Sequence, residues 1–345
     1  MIVALDTQLA IGTATGIGEY VGGLASALRE RGVRVVELQE PRLDPWRFDR
    51  RVLWDQAVLP RRARASGADL LHCASGTMPL RAPLPTVVTV HDVAWLKVQR
   101  HTHSYARYYF GRFALERYRR AAAIVVDSEF SRRELSGVLQ VAPERLHVVY
   151  PGVSADYAAL ARKPSGDAAI LVPGTVERRK NLEVLIRALP LLPHRARIIC
   201  VGPATPYRDE CERLAARHGV SGRVEFRGYV EREALLDLYA TCAVVAVPSI
   251  YEGFGYAAAQ ALCAGTPLVV SGAASLPEVV AGMASIASAE DERIWAREIG
   301  AILDSPAKAN EHASAQRERG IERFAWRASA STMCGVYETA LRTAR

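Results

Sequence analysis

No stretch of this sequence approaches the ~18 consecutive apolar residues that a bilayer-spanning helix needs. The opening residues MIVALDTQLA place no basic segment ahead of an apolar one and read directly as a strand, so no signal peptide is expected. None of the six cysteines forms a CxxC pair. Cys200, Cys242 and Cys263 lie in apolar or Ala-rich stretches, as small core residues do. That usage predicts a reducing, cytoplasmic compartment. The chain has no GxxxxGK(S/T) loop, which excludes a P-loop nucleotidase. It has no Asp-x-Asp pair and no His/Cys cluster at ligand spacing, so neither a metal nor another cofactor is expected.

What is present describes a globular protein of two domains. Half of the residues are hydrophobic, enough for two cores in 345 residues. The formal charge of +7 is unevenly spread: residues 1–163 hold 23 Lys and Arg against 16 Asp and Glu, and the remainder is balanced. An anionic partner surface for the first half follows, or an ordinary Arg-rich solvated one. Short runs such as Ile2–Leu5, Thr86–Val90, Ala169–Val172 and Val244–Val247 alternate with helical patterns. They are uninterrupted rather than alternating, as in parallel strands buried on both faces. The fold class is therefore α/β, with two Rossmann-like doubly wound parallel sheets facing a cleft. The rhythm breaks near 161–166, where Lys-Pro-Ser-Gly interrupts regular structure. The expected division is 1–163 and 164–325.

Four constellations carry chemistry. Gly16-Ile17-Gly18 follows the first strand and opens a helix, where backbone N–H groups meet phosphate or sugar oxygens. With Gly22 and Glu37 it is also close to a dinucleotide fingerprint. His91-Asp92 ends the strand TVVTV, which turns His91 toward a ligand rather than the core. His72 ends LLHC and reads as lining the same cleft. Gly174-Thr175-Val176-Glu177-Arg178-Arg179-Lys180-Asn181 follows ILVP, and three adjacent cations at such a turn point to a polyphosphate. Tyr251-Glu252-Gly253-Phe254-Gly255 precedes a helix whose N-terminus makes another anion cradle. Gln260 lies about two turns along it from Glu252.

Together with Asp127-Ser128-Glu129-Phe130-Ser131, Tyr150-Pro151-Gly152-Val153, Gly265-Thr266-Pro267 and Leu276-Pro277-Glu278, these residues resemble the family 4 glycosyltransferases, in order and over nearly the whole chain. The resemblance implies the GT-B fold and retention of anomeric configuration. It implies that Arg179 and Lys180 clamp the donor diphosphate, helped by Gly16, Gly18, Phe254 and Gly255. It places Glu252 on the transferred sugar, His91 at the reacting carbon, and the C-terminal helix 326–345 back on the first domain. Two residues depart from the pattern: Gln260 stands where the family has a ribose-binding glutamate, and Glu19 where an Arg often follows the glycine loop.

The implied reaction moves a hexose from a nucleotide diphosphate sugar to a hydroxyl acceptor in surface glycan synthesis, with GDP-mannose the donor indicated first. A natural-product transferase using a UDP- or dTDP-sugar is the alternative. From other classes, a nicotinamide oxidoreductase would use the glycine loop and Glu37, and a non-catalytic sugar-nucleotide sensor would fit Gln260. Expected partners are the donor, the acceptor and, through the Tyr- and Arg-rich segment 104–120, an anionic inner-membrane face. Nucleic acid is not expected.

Overall fold

The structure is a computed structural model that describes residues 1–11, 16–94, 108–109 and 111–344. Internal contacts divide the chain into two units, Met1–Gly152 with Ala325–Arg345, and Val153–Phe324.

The first unit is built on six parallel strands: β1 (Ile2–Asp6), β2 (Arg34–Leu38), β3 (Leu70–Cys73), β4 (Thr86–Val90), β5 (Ala123–Val126) and β6 (Leu146–Val148), in the order β2-β1-β3-β4-β5-β6. The central strands β3, β4 and β5 are buried along their whole length, which is why their sequences run apolar without alternation. Helix Gly16–Glu30 buries Tyr20, Val21, Leu24 and Leu28, a stripe at helical spacing.

Helix Trp326–Thr343 belongs to this unit and packs on helix Gly16–Glu30 and on β4 and β5. It buries Ala330, Met333, Val336, Tyr337 and Ala340. Its first residue, Trp326, needs glycine beneath it: a Cβ on Gly23 would stand 2.2 Å from the indole. Farther along, Tyr337 Oη lies 2.7 Å from His72 Nδ1.

The second unit holds β7 (Ala169–Pro173), β8 (Arg197–Val201), β9 (Val224–Phe226), β10 (Val244–Val247), β11 (Leu268–Ser271) and β12 (Ser285–Ala287), all parallel, in the order β12-β11-β10-β7-β8-β9. Read from β9, this is the strand order of dinucleotide-binding folds, with the order reversing between β7 and β10. Helix Leu182–Ala188 and helix Glu292–Asp304 cover one face, around Trp295.

Two sequence expectations are corrected. The break expected at 161–166 lies inside the second unit. Val153 N donates to Phe324 O at 2.8 Å, and Arg162 donates to the carbonyls of Tyr239, Ala240 and Cys242. These anchors hold the breaker-rich segment onto the unit. Strand β12 was not foreseen, because it is a three-residue edge strand with Ile286 exposed.

Candidate functional site

In an open parallel sheet a ligand's place is outside the carboxyl ends of the strands, where the order reverses. In the second unit that point lies between β7 and β10. Beyond β7 the chain passes Gly174, whose φ is +118°, and Glu177, then makes a single helical turn over Arg178–Lys180. Asn181 closes this turn at φ +54°. Its Nδ2 donates to Pro248 O at 3.1 Å and to Ala289 O at 2.7 Å, and Ile250 N donates to Arg179 O at 2.8 Å. The cationic turn is thereby fastened to the loop after β10.

Glu252 stands on that loop, 6% exposed. Lys180 Nζ donates to its Oε1 at 2.6 Å and Ser249 Oγ to the same oxygen at 2.7 Å. Arg179 Nη1 donates to Oε2 at 2.9 Å, while Nη2 meets Glu177 Oε1 at 2.8 Å. Burial alone would raise the Glu252 carboxyl; the Lys180 and Arg179 charges outweigh it and hold the group at about 2. Glu252 is therefore an anion at neutral pH. Ser275 Oγ donates to the carbonyls of Glu252 and Phe254 at 3.0 and 2.8 Å, fixing the backbone on both sides of Gly253. Gly255, at φ +98°, starts helix Tyr256–Ala264, and a Cβ there would lie 2.6 Å from Leu276 Cδ2. The Phe254 ring is buried edge-on against Tyr256 and Phe324, so this residue can meet a ligand only through its backbone.

The structure thus brings Arg179, Lys180 and Glu252 together. Arg178 does not join them: it pairs with Glu210 and lies over the Tyr207 ring. Successive residues of a tight turn point in different directions, so three adjacent cations do not make one cluster. Gln260 sits 8% exposed on helix Tyr256–Ala264, where its Oε1 accepts from Tyr239 Oη at 3.1 Å.

In the first unit, Gly16 and Gly18 open their helix as expected, while residues 12–15 lie outside the described residues. His91 follows β4, its side chain 18% exposed. Its Nδ1 lies 2.7 Å from Asp127 Oδ2 and its Nε2 3.0 Å from Ala74 O. The Tyr20 and His91 rings stand nearly perpendicular, centroids 4.9 Å apart, and the Tyr20 hydroxyl lies 3.1 Å from Thr89 Oγ1. Burial would lower the His91 pKa, but the Asp127 carboxylate more than offsets it and the net shift is upward. Asp127 was read as part of a motif only; its position at the end of β5 was the signal available in the sequence.

Two readings are corrected here. His72 does not line a cleft: it is fully buried between Tyr337 and Thr89, and burial pushes it down to about 3. Glu37 pairs with Arg29 on the surface. In segment 104–120, residues 104–107 and 110 lie outside the described residues. Of the others, Arg117 is buried, donating to Met78 O and Tyr109 O. Sequence reasoning also missed a buried cluster at the end of β1. There Asp6 accepts from Trp54 Nε1 at 3.0 Å, and Arg51 meets Asp55 at 3.1 Å.

Two family models match adjoining stretches of the sequence. Glycosyltransferase Family 4 matches residues 14–157, and Glycosyl transferases group 1 matches residues 157–322. The chain belongs to the family 4 glycosyltransferases. Among relatives, it is 33% identical over 241 residues to a D-inositol 3-phosphate glycosyltransferase of Xylanimonas cellulosilytica, covering 64% of this chain and 57% of that protein. It is 28% identical over 269 residues to O-antigen chain mannosyltransferase B of Escherichia coli, covering 73% and 70%. The chain thus spans less than two thirds of the inositol-phosphate relatives it matches. Sucrose-phosphate synthase from Thermosynechococcus elongatus superposes over 100% of both chains with a TM-score of 0.78 at 21% identity. HepE from Anabaena, solved with UDP and glucose, does so with a TM-score of 0.74 at 18% identity, over 98% of this chain and 100% of that one. Both likenesses establish the GT-B fold. Among the described residues no helix is long and apolar enough to cross a membrane.

Proposed function

We propose that this chain is a retaining glycosyltransferase that moves a hexose from a nucleotide diphosphate sugar to a hydroxyl acceptor. One observation carries the reading: Arg179 and Lys180 converge on the buried carboxylate of Glu252 at the reversal point of the second sheet. A diphosphate placed at these cations gains charge-assisted hydrogen bonds, and as the bond to the sugar breaks its leaving oxygen takes on negative charge. In this reading the cations neutralise that charge without a metal ion. Gly16, Gly18, Phe254 and Gly255 add backbone groups at two helix starts. Glu252 is ionised and fixed, as a residue accepting hydrogen bonds from sugar hydroxyls must be. His91 acts on the donor sugar, and Gln260 on the nucleotide ribose.

GDP-mannose remains the first donor to test, supported by the mannosyltransferase relatives. The inositol-phosphate relatives favour a second acceptor class, a phosphorylated polyol, to be tested with UDP-sugars. A thermal-shift panel of GDP-, UDP- and dTDP-sugars should single out one nucleotide, and transfer should then be assayed with that donor in EDTA. The anomeric configuration of the product decides retention. No shift with any nucleotide sugar would reject the reading, and loss of transfer in EDTA would reject its metal independence.

A further inference from the structure

The two nitrogens of His91 both face acceptors. Ala74 O, at 3.0 Å from Nε2, is a backbone carbonyl and can only accept, so Nε2 carries a hydrogen. Asp127 Oδ2 stands 2.7 Å from Nδ1, a distance that requires a proton between them. A neutral imidazole has one N–H, and here it is already committed to Ala74. Asp127 is 4% exposed, and its Oδ1 has no hydrogen-bond partner among the described residues. The shared proton lies either on Nδ1, as an imidazolium–carboxylate pair, or on Oδ2, as a neutral pair, toward which burial pushes the Asp127 carboxyl upward. In the first case the buried carboxylate has its countercharge in His91.

We infer that Asp127 is a positioning residue that holds His91 as a doubly protonated imidazolium, so that His91 serves transfer as a fixed cation and not as a proton acceptor. The inference rests on the proposed transfer reaction and specifies how His91 takes part in it. With Nδ1 closed by Asp127 and Nε2–H held by Ala74, the ring has no lone pair with which to take a proton from an acceptor hydroxyl. What it offers is positive charge and a fixed orientation. The other titratable groups acting on the ring are Asp92, the next residue, which reinforces the charge, and His72 on β3, which stays neutral. The Tyr20 ring stands nearly perpendicular to the imidazole beside it. The upward shift of His91 agrees with this arrangement, and the upward push of burial on Asp127 opposes it, so the titration of His91 decides between them.

The test is a side-chain NMR titration of His91 in the full chain, with Asp127→Asn and Asp127→Glu beside the wild type. Wild-type His91 should titrate above its ordinary value of 6.5, because the Asp127 carboxylate favours the charged ring. In Asp127→Asn it should titrate near or below that value, and Asp127→Glu should restore the shift at least in part. Turnover should follow the titration. It should fall at least about twentyfold between about pH 6 and 8 in Asp127→Asn and distinctly less over the same range in the wild type, with donor KM little changed. A wild-type His91 that titrates at its ordinary value, or a shift that survives Asp127→Asn, would overturn the assignment. Turnover that rises with pH as His91 loses its proton would overturn the cationic role. If no donor is turned over, the role in transfer falls together with the proposed function, while the titration still decides whether Asp127 holds the proton.

Discussion

Lys180 Nζ reaches Glu252 Oε1 at 2.6 Å across 72 residues of sequence, tying the turn after β7 to the turn after β10. Such a contact preorganises a cation that would otherwise have to be collected from solvent when a diphosphate arrives. Lys180→Ala removes one charged partner, worth ~1.5–3 kcal/mol. Binding of the matched nucleoside diphosphate should weaken at least about tenfold. Unchanged affinity by calorimetry would show that Lys180 serves Glu252 alone.

Glu252 competes for the same cations, so its neutralisation should separate binding from turnover. Glu252→Gln keeps the shape and the Ser249 contact but releases Arg179 and Lys180 from a carboxylate. Nucleoside diphosphate should bind as tightly or tighter, while turnover drops by ~100-fold, the loss typical of a group acting in the transition state. A variant that loses both in equal measure would mean that Glu252 only shapes the loop.

The same ion cluster sets an acid limit. The Glu252 carboxyl is held at about 2 in the folded chain against an ordinary value of 4.5. A depressed acid stabilises the fold above its unfolded value and loses that contribution as pH falls through the folded one. The window is therefore about pH 4.5 down to about 2, with a contribution on the order of 3 kcal/mol at neutral pH. The stability difference between wild type and Glu252→Gln, from urea unfolding, should shrink steadily over that window. A difference independent of pH would remove the electrostatic explanation.

Strand positions were legible because buried parallel strands are written as uninterrupted Val, Ile and Leu runs, as Thr86–Val90 and Val244–Val247 show. The adjacency of Arg179 and Lys180 was legible too, but the departure of Arg178 toward Glu210 depends on the twist of a three-residue turn. Long-range pairings were not legible at all. Nothing local to His91 announces Asp127 or Ala74, and nothing local to His72 announces that Tyr337, 265 residues away, will bury it. Motifs identify which residues lie at strand ends; only the packing says which partners claim their lone pairs.

The basic excess of the first unit leads to a test with vesicles. Tyr108 is 63% exposed in a segment rich in arginine, although Tyr109 and Arg117 turn inward. Anionic liposomes should sediment the protein at low salt and release it at ~0.5 M salt, where screening is nearly complete. Absence of binding at low salt would end the membrane proposal and leave a solvated basic surface.

Gln260 is the residue at which this chain leaves its family, and its neighbour makes the question testable. Its Oε1 accepts from Tyr239 Oη at 3.1 Å, and Tyr239 is itself fully buried, edge-on to Tyr157. If Gln260 binds the ribose, a carboxylate in its place would serve both partners. One oxygen would accept from Tyr239 and the other from a ribose hydroxyl, each bond charge-assisted and roughly twice as strong as its neutral counterpart. Gln260→Glu should then preserve or tighten nucleotide binding. Gln260→Ala should weaken it and also cost ~0.5–1.5 kcal/mol of stability, because the Tyr239 hydroxyl loses this acceptor and keeps only the longer contact to Ala257 O at 3.4 Å among those described. Tyr239→Phe separates the two effects, since it removes the tyrosine bond while leaving the amide in place. Nucleotide affinity in Tyr239→Phe should stay within about threefold of wild type, under 1 kcal/mol. Calorimetric titration of the matched nucleotide into the four proteins reads all of this. Equal affinity in wild type, Gln260→Glu and Gln260→Ala would show that Gln260 is a packing residue of helix Tyr256–Ala264 and that the ribose is held elsewhere.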